Sequence, residues 1–405
     1  MTRQVRARPP RAGDPYGIGP ITSLVAPTLA VVGLLIVAVA TFNLFSGELP
    51  FGIGRGPGGG PGANPGDPVR TPAPSHVVVV PPRDDDNPLL GSIVYAKAGN
   101  IWIQTEEGAR QLTSGGNDSM PTWSPDGSWV YYIETQPARG LWPLRGRPAH
   151  YDMAVPHLKR VAADGSGEPQ DLKSGRFRSG SLTWFYWMRQ PAVAPDGRTI
   201  ALVTDQPNPE ERDVVVQLYS LETKRFSVPA VQSTSNLGHQ DPAWHPNGQF
   251  LLFVRNAREG SRAAPVIYRY SLTRERASAL TGPGYLEPDY SPDGRYIAAT
   301  RTSTIGTDVV ILDGSRGTEL LKVTTDGRSW APVWSPTGDA VAFLTINGQS
   351  VDLRLAALAG SAGDWTVEKT IPLTEVSGLD PASGPDWFVP PDELPVSSPA
   401  ASPAP

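Results

Sequence analysis

One seven-residue phrase recurs five times along this chain and limits what it can fold into. Its clearest copies are Pro121-Thr122-Trp123-Ser124-Pro125-Asp126-Gly127 and Pro332-Val333-Trp334-Ser335-Pro336-Thr337-Gly338. Between them lie Pro242-Ala243-Trp244-His245-Pro246-Asn247-Gly248, Pro288-Asp289-Tyr290-Ser291-Pro292-Asp293-Gly294 and the weaker Pro191-Ala192-Val193-Ala194-Pro195-Asp196-Gly197. Pro-Asp-Gly suits a tight turn: Pro presets φ, Asp bonds back to the backbone, and Gly accepts positive φ. The Trp of the phrase is a large apolar body able to fill the space between two packed sheets. The phrase is therefore read as structural, not as an active-site motif.

The copies begin 70, 51, 46 and 44 residues apart. A period in the forties is that of a four-stranded propeller blade. An apolar, β-rich run follows each copy, as in Trp129 to Ile133, Phe250 to Val254 and Ala340 to Leu344. Gly384-Pro385-Asp386-Trp387-Phe388 keeps the start of the phrase, 53 residues after Pro332. Ser92 to Ala96, Asn100 to Ile103 and Arg110 to Thr113 read as the other three strands of that last blade. The expected fold is an all-β, six-bladed propeller over 89–390. The two ends of the domain share one blade, which ties the ring and removes free sheet edges.

Trp-Ser-Pro-Asp-Gly followed by such a strand resembles the WD-repeat-like propeller repeat of the TolB family, and is similar to the propeller domains of prolyl-oligopeptidase-type peptidases. The resemblance covers the propeller region and implies its fold. TolB carries a further N-terminal α/β domain that engages its partners. A Pro/Gly-rich stretch stands in that place here, so the transport-complex role is not expected to carry over.

Before the repeats, residues 1–20 hold Arg3, Arg6, Arg8 and Arg11 against the single acid Asp14. Residues 21–46 are uncharged and most apolar from Leu29 to Phe42. About twenty apolar residues span a hydrocarbon core, and basic residues before them stay cytoplasmic. This predicts a transmembrane anchor with the propeller outside the cytoplasm, in the cell envelope. A cleaved signal peptide ending near Ala40 is the alternative. Residues 47–88, with Gly56-Pro57-Gly58-Gly59-Gly60-Pro61-Gly62, read as an extended linker, and 391–405 as a disordered tail.

The chain has no cysteine, which removes thiolate metal sites and cysteine nucleophiles, and its net charge of -5 gives no reason to expect nucleic acid. No Gly-x-Ser-x-Gly elbow, His-Glu-x-x-His or P-loop is present, and the five histidines lack ligand spacing. The residues after Val389 read as a tail, not as a hydrolase domain. The expectation is a module that is not an enzyme, needs no cofactor or metal, and binds a protein, peptide or glycan.

Two places stand out as binding sites. The first is the extra length between Glu134 and Pro156, which supplies Trp142, Arg145, Arg147 and Tyr151. Insertions in propellers become loops on one face, and aromatic and basic residues dominate interfaces. Burial of Trp142 as a plug is the structural alternative. The second is the set of residues just before each phrase, near the channel mouth: Asp118 and Ser119, Arg189 and Gln190, His239, Gln240 and Asp241, Glu287, and Trp330. The aromatic run from Leu182 to Met188, which includes Trp187, leads into this ring and can serve both the blade core and the channel mouth. A polar ring there can hold a small ligand. An alternative reading makes this mouth the site of a hydrolase or lyase, with His239 paired to Asp241 or Glu287. A structural spacer is a third reading.

Overall fold

In the computed structural model, which describes residues 89–144, 147–207, 213–229, 238–256, 264–360 and 364–394, each phrase joins the first strand of a blade to its second. The turn is the same five times over. The amide of the phrase glycine donates to the carbonyl four residues into the phrase at 2.8–2.9 Å, and the five glycines have φ between +66° and +80°. Serine Oγ accepts the amide of the next strand's first residue, as in Trp129 to Ser124 at 2.9 Å and Tyr296 to Ser291 at 3.0 Å. At Gly248 an added Cβ would meet nothing within 4 Å, so only the left-handed backbone is at stake. Gly248→Ala is expected to lower stability by about 1 kcal/mol in denaturant unfolding, the cost of one L-residue in that region.

Six sheets result. The closing blade orders β26 (Asp386–Phe388), β1 (Ser92–Lys97), β2 (Asn100–Thr105) and β3 (Gly108–Gln111). The C-terminal strand is thus innermost, and Ile93 lies opposite Trp387. Blade 1 holds β4 (Asp118–Trp123), β5 (Trp129–Leu144), β6 (Arg147–Ala162) and β7 (Gln170–Ser174), with β8 (Arg176–Ser179) and β9 (Leu182–Phe185) added to β5. Blade 2 is β10 (Met188–Val193), β11 (Thr199–Thr204), β12 (Val215–Ser220) and β13 (Phe226–Ser227). Blade 3 is β14 (His239–Trp244), β15 (Phe250–Arg255), β16 (Val266–Ser271) and β17 (Arg276–Ala279). Blade 4 is β18 (Tyr285–Tyr290), β19 (Tyr296–Thr302), β20 (Thr307–Asp313) and β21 (Glu319–Lys322). Blade 5 is β22 (Ser329–Trp334), β23 (Ala340–Asn347), β24 (Ser350–Ala359) and β25 (Thr366–Pro372). The six-bladed propeller and its shared closing blade are as the repeats predict.

The core sits between blades. Trp334 packs with Ala298, Val309 and Ile311 of blade 4, Tyr290 with Leu252 and Ile267 of blade 3, and Trp123 with Val94 and Ile101 of the closing blade. The aromatic of each of these phrases therefore anchors its blade to the preceding one.

The predicted leader, apolar segment and linker lie outside the described residues, as does 395–405. Among the described residues no helix is long and apolar enough to cross a membrane. Leu394 packs against the cluster formed by the closing blade and blade 5.

Candidate functional site

The inner strands share an irregularity that begins where the phrase begins. In five blades the pairing with the second strand breaks around an Xaa-Pro step: between Ser119 and Thr122, Arg189 and Ala192, Gln240 and Ala243, Leu286 and Asp289, and Trp330 and Val333. Proline cannot donate to the ladder, so it belongs at a bulge. The residue before each proline has positive φ: Met120 54°, Gln190 53°, Asp241 51°, Glu287 48° and Ala331 49°. None is glycine, and such positions cost of order 1–3 kcal/mol each. Five strained residues thus ring one axis.

Their side chains reach sideways to the next blade. The Met120 amide donates to Ser383 Oγ (3.0 Å), Gln190 to Met120 Sδ (3.2 Å) and Asp241 to Gln190 Oε1 (3.1 Å). The Glu287 amide donates to Asp241 Oδ2 (3.1 Å), and Ala331 to Glu287 Oε2 (2.8 Å). Gln190 Nε2 also donates to Asp241 Oδ1. This relay passes from the closing blade through blade 5. It stops at Ala331, whose methyl offers no acceptor.

Together these strands wall a cavity of about 460 Å³. Proline rings (Pro121, Pro191, Pro242, Pro288, Pro332, Pro385) alternate there with the carboxylates Asp241, Glu287, Asp289 and Asp386. Asp289 Oδ2 accepts the Trp334 amide at 2.7 Å, and Asp386 Oδ2 accepts Trp123 N and Thr122 Oγ1, both at 2.8 Å. Withdrawal from bulk water raises all four carboxyl pKa values. Asp241 is pushed up further by Glu287. Asp289 reaches about 7, with Asp386 adding to the effect of burial. Arg189 pulls the other way on Asp241, more weakly than any of its other influences.

Among the predicted site residues, the structure brings Asp241 and Glu287 together on this wall. Arg189 is exposed and does not line the cavity. Trp330 lies against the core between blade 5 and the closing blade, its Nε1 donating to Pro381 O at 3.0 Å. His239 points into a blade core: it is 3% exposed and packs on Phe253 at 4.6 Å. Its Nδ1 accepts the Val216 amide at 3.4 Å. In four other blades a threonine hydroxyl takes that amide: Thr113 from Ile101, Thr281 from Ile267, Thr324 from Val309 and Thr374 from Leu353. His239 replaces that threonine, and burial lowers its pKa to about 4, with Arg255 contributing. The pairing of His239 with Asp241 or Glu287 is therefore corrected: the imidazole turns away from the channel.

The insertion forms a wing, not a lid. β5 and β6 pair without a break from Trp129–Ala162 out to Leu144–Arg147, and β9 joins β5 at Leu141. Gly140 permits this approach, since a Cβ there would lie 2.9 Å from Thr183 O. Trp142 stacks on Trp184 at 5.5 Å and meets Phe177 at 5.8 Å, while Tyr151 meets Trp184 edge-on at 5.5 Å. Arg147 is exposed, and Arg145 lies outside the described residues. Trp187 is 47% exposed, with its amide donating to Asp205 Oδ1 at 2.8 Å. No described residue of the insertion lines the channel.

Gln190 belongs to the expected ring, whereas Met120, Asp289 and Asp386 were not among the expected site residues. A signal for them was available, since each directly precedes or follows the first proline of its phrase.

No described protein family matches the sequence. An uncharacterized peptidase of Bacillus subtilis, YuxL, is 35% identical over 122 residues, 29% of this chain and 18% of that protein. The chain thus spans less than a fifth of that relative's length. Among solved structures, TolB of Acinetobacter baumannii superposes with a TM-score of 0.53 at 19% identity, covering 73% of this chain and 66% of that one. A TolB-type protein of Agrobacterium tumefaciens gives 0.50 at 18%, covering 76% and 96%. The fold is the TolB-type six-bladed propeller. The match to a peptidase overturns the expectation that the chain is not an enzyme.

Proposed function

We propose that this TolB-type propeller is a ligand-binding module of the cell envelope, and that its channel receives a basic segment of a protein or peptide. The observation that carries the reading is the 460 Å³ channel, where six proline-bearing strands set four carboxylates around one axis. Proline rings give an apolar wall for the stem of a Lys or Arg side chain, and the carboxylates take its charged head. The five strained positions support the same reading, because such residues cluster where a binding geometry must be held ready. Arg3, Arg6, Arg8 and Arg11 ahead of the apolar segment 21–46 support attachment to the membrane with the propeller outside.

The test is to select peptides from a displayed library on the full chain and titrate one of them at pH 8. Asp241→Asn with Glu287→Gln is expected to weaken binding by about tenfold or more, as the loss of a charge-assisted contact does. Trp142→Ala is expected to change it little. Equal affinity of the channel variant and the wild type would remove the channel from the proposal.

A second reading is favoured by the identity to YuxL, called a peptidase. Here the channel holds peptide substrates for cleavage. Shortened products from the selected peptides, seen by mass spectrometry, would mark it.

A further inference from the structure

We propose that Ser174, His157 and Asp171, on the outer edge of blade 1, form a hydrolytic triad that is acylated on Ser174. None of the three lines the channel, and the proposal stands apart from the function assigned to it.

The arrangement depends on an irregularity in strand pairing. His157 on β6 lies opposite Ser174 on β7, and Leu158 lies opposite Lys173. The next pair is Lys159 with Asp171, so Leu172 is an extra residue on β7. In an unbroken strand, residues three apart point to opposite faces. One bulged residue restores Asp171 and Ser174 to the same face, where His157 sits between them.

The contacts fall on the two ring nitrogens in the order a triad requires. His157 Nδ1 donates to Asp171 Oδ2 at 2.6 Å, and Ser174 Oγ donates to His157 Nε2 at 3.4 Å. The second bond is long, as nucleophile–base contacts often are before substrate binds. Asp171 fixes the tautomer that leaves Nε2 free to accept a proton. The Arg176 amide donates to Ser174 Oγ at 3.2 Å and holds the nucleophile in place. Its position is set by Gly175, whose amide donates to Pro156 O at 2.8 Å and whose carbonyl accepts Tyr186 N at 2.6 Å. Ser174 and His157 are partly exposed and β7 is an edge strand, so a substrate has access.

The substrate class is an acyl ester. Ser174 Oγ attacks the acyl carbon as its proton passes to His157 Nε2. The tetrahedral adduct collapses, and the alcohol leaves with that proton. Water then attacks the acyl-serine and gives a proton to Nε2. The acid departs and Ser174 regains its proton, so the net reaction is ester plus water to acid plus alcohol.

The experiment treats the full chain with a fluorophosphonate and maps the adduct by mass spectrometry. The expected result is a label on Ser174, absent in Ser174→Ala and forming about 100-fold more slowly in His157→Gln, the scale of general-base loss. Asp171→Asn keeps a hydrogen-bonding group and is expected to slow labelling as well. It decides the matter should His157→Gln unfold. An unlabelled Ser174 in the wild type overturns the proposal, as does a labelling rate unchanged in these variants.

Discussion

Trp387→Ala is expected to lower the stability of the propeller by about 3–5 kcal/mol, the range for truncating a large buried aromatic. Trp387 lies on the single strand that the C-terminal end contributes to the closing blade, and it is 7% exposed. It packs with Ile93, Tyr95 and Trp102 of its own blade and with Val333 and Leu344 of blade 5. Its Nε1 donates to Leu90 O at 2.8 Å, joining the two ends of the domain. Alanine removes that bond and leaves a void at the one place where the ring is closed without chain continuity. Urea unfolding measures the loss. Trp187→Ala is the control and should change stability by less than about 1 kcal/mol, since Trp187 is 47% exposed. Equal effects of the two substitutions would contradict closure by the shared blade.

The second large effect is on pH dependence, and its sign is unusual for carboxylates. Asp289 binds its proton more tightly in the folded protein, with a pKa of about 7, than in the unfolded chain, where a carboxyl titrates near 4. The folded state then holds more protons between those values, and stability falls as pH rises through that window. Asp241, Glu287 and Asp386 are raised in the same direction by the same withdrawal from water. In the turns, Asp126 is lowered by its bonds to Ser124 and Ser128, and Asp313 by its bond to Ser315. Those groups stabilise only above the range in which they titrate. Neutral burial of His239 acts the other way, losing stability as pH falls from about 6.5 toward 4. The four raised carboxyls outnumber it, so stability is expected to be higher at pH 5 than at pH 8. Asp289→Asn keeps an acceptor for the Trp334 amide and removes the charge. It should raise stability at pH 8 by about 1–2 kcal/mol, discounted for channel solvent, and leave it little changed at pH 5. Thermal unfolding at both pH values tests this. A wild type more stable at pH 8 than at pH 5 would contradict the placement of these carboxyls.

The propeller was legible because its information is local and repeated. Pro-Asp-Gly specifies one turn, the Trp beside it specifies one contact between blades, and counting the copies gives the ring. The channel was only half legible. Taking every residue before a phrase as channel-facing assumes a regular strand. The bulge at each Xaa-Pro breaks that alternation, so Asp241 and Glu287 face the axis while His239 enters a core and Trp330 covers one. Asp289 and Asp386 sit inside the phrase, where turn chemistry and packing explain their neighbours, and so drew no attention. The aromatic run from Leu182 to Trp187 suggested channel and core. It builds a wing instead, because Gly140 lets a second hairpin lie against β5, a contact that no local pattern encodes. Ser174, His157 and Asp171 were invisible for the same reason, since only the register of β6 on β7 brings them together.

The central claim is that the channel, not the wing, receives the ligand. A basic peptide selected on the full chain, carrying a photoreactive group beside its Lys or Arg, tests this directly when the cross-linked residues are mapped by mass spectrometry. The account predicts adducts on Met120, Val193 and Val333, all of which line the cavity. Adducts confined to Trp142, Arg147 and Tyr151 would contradict it.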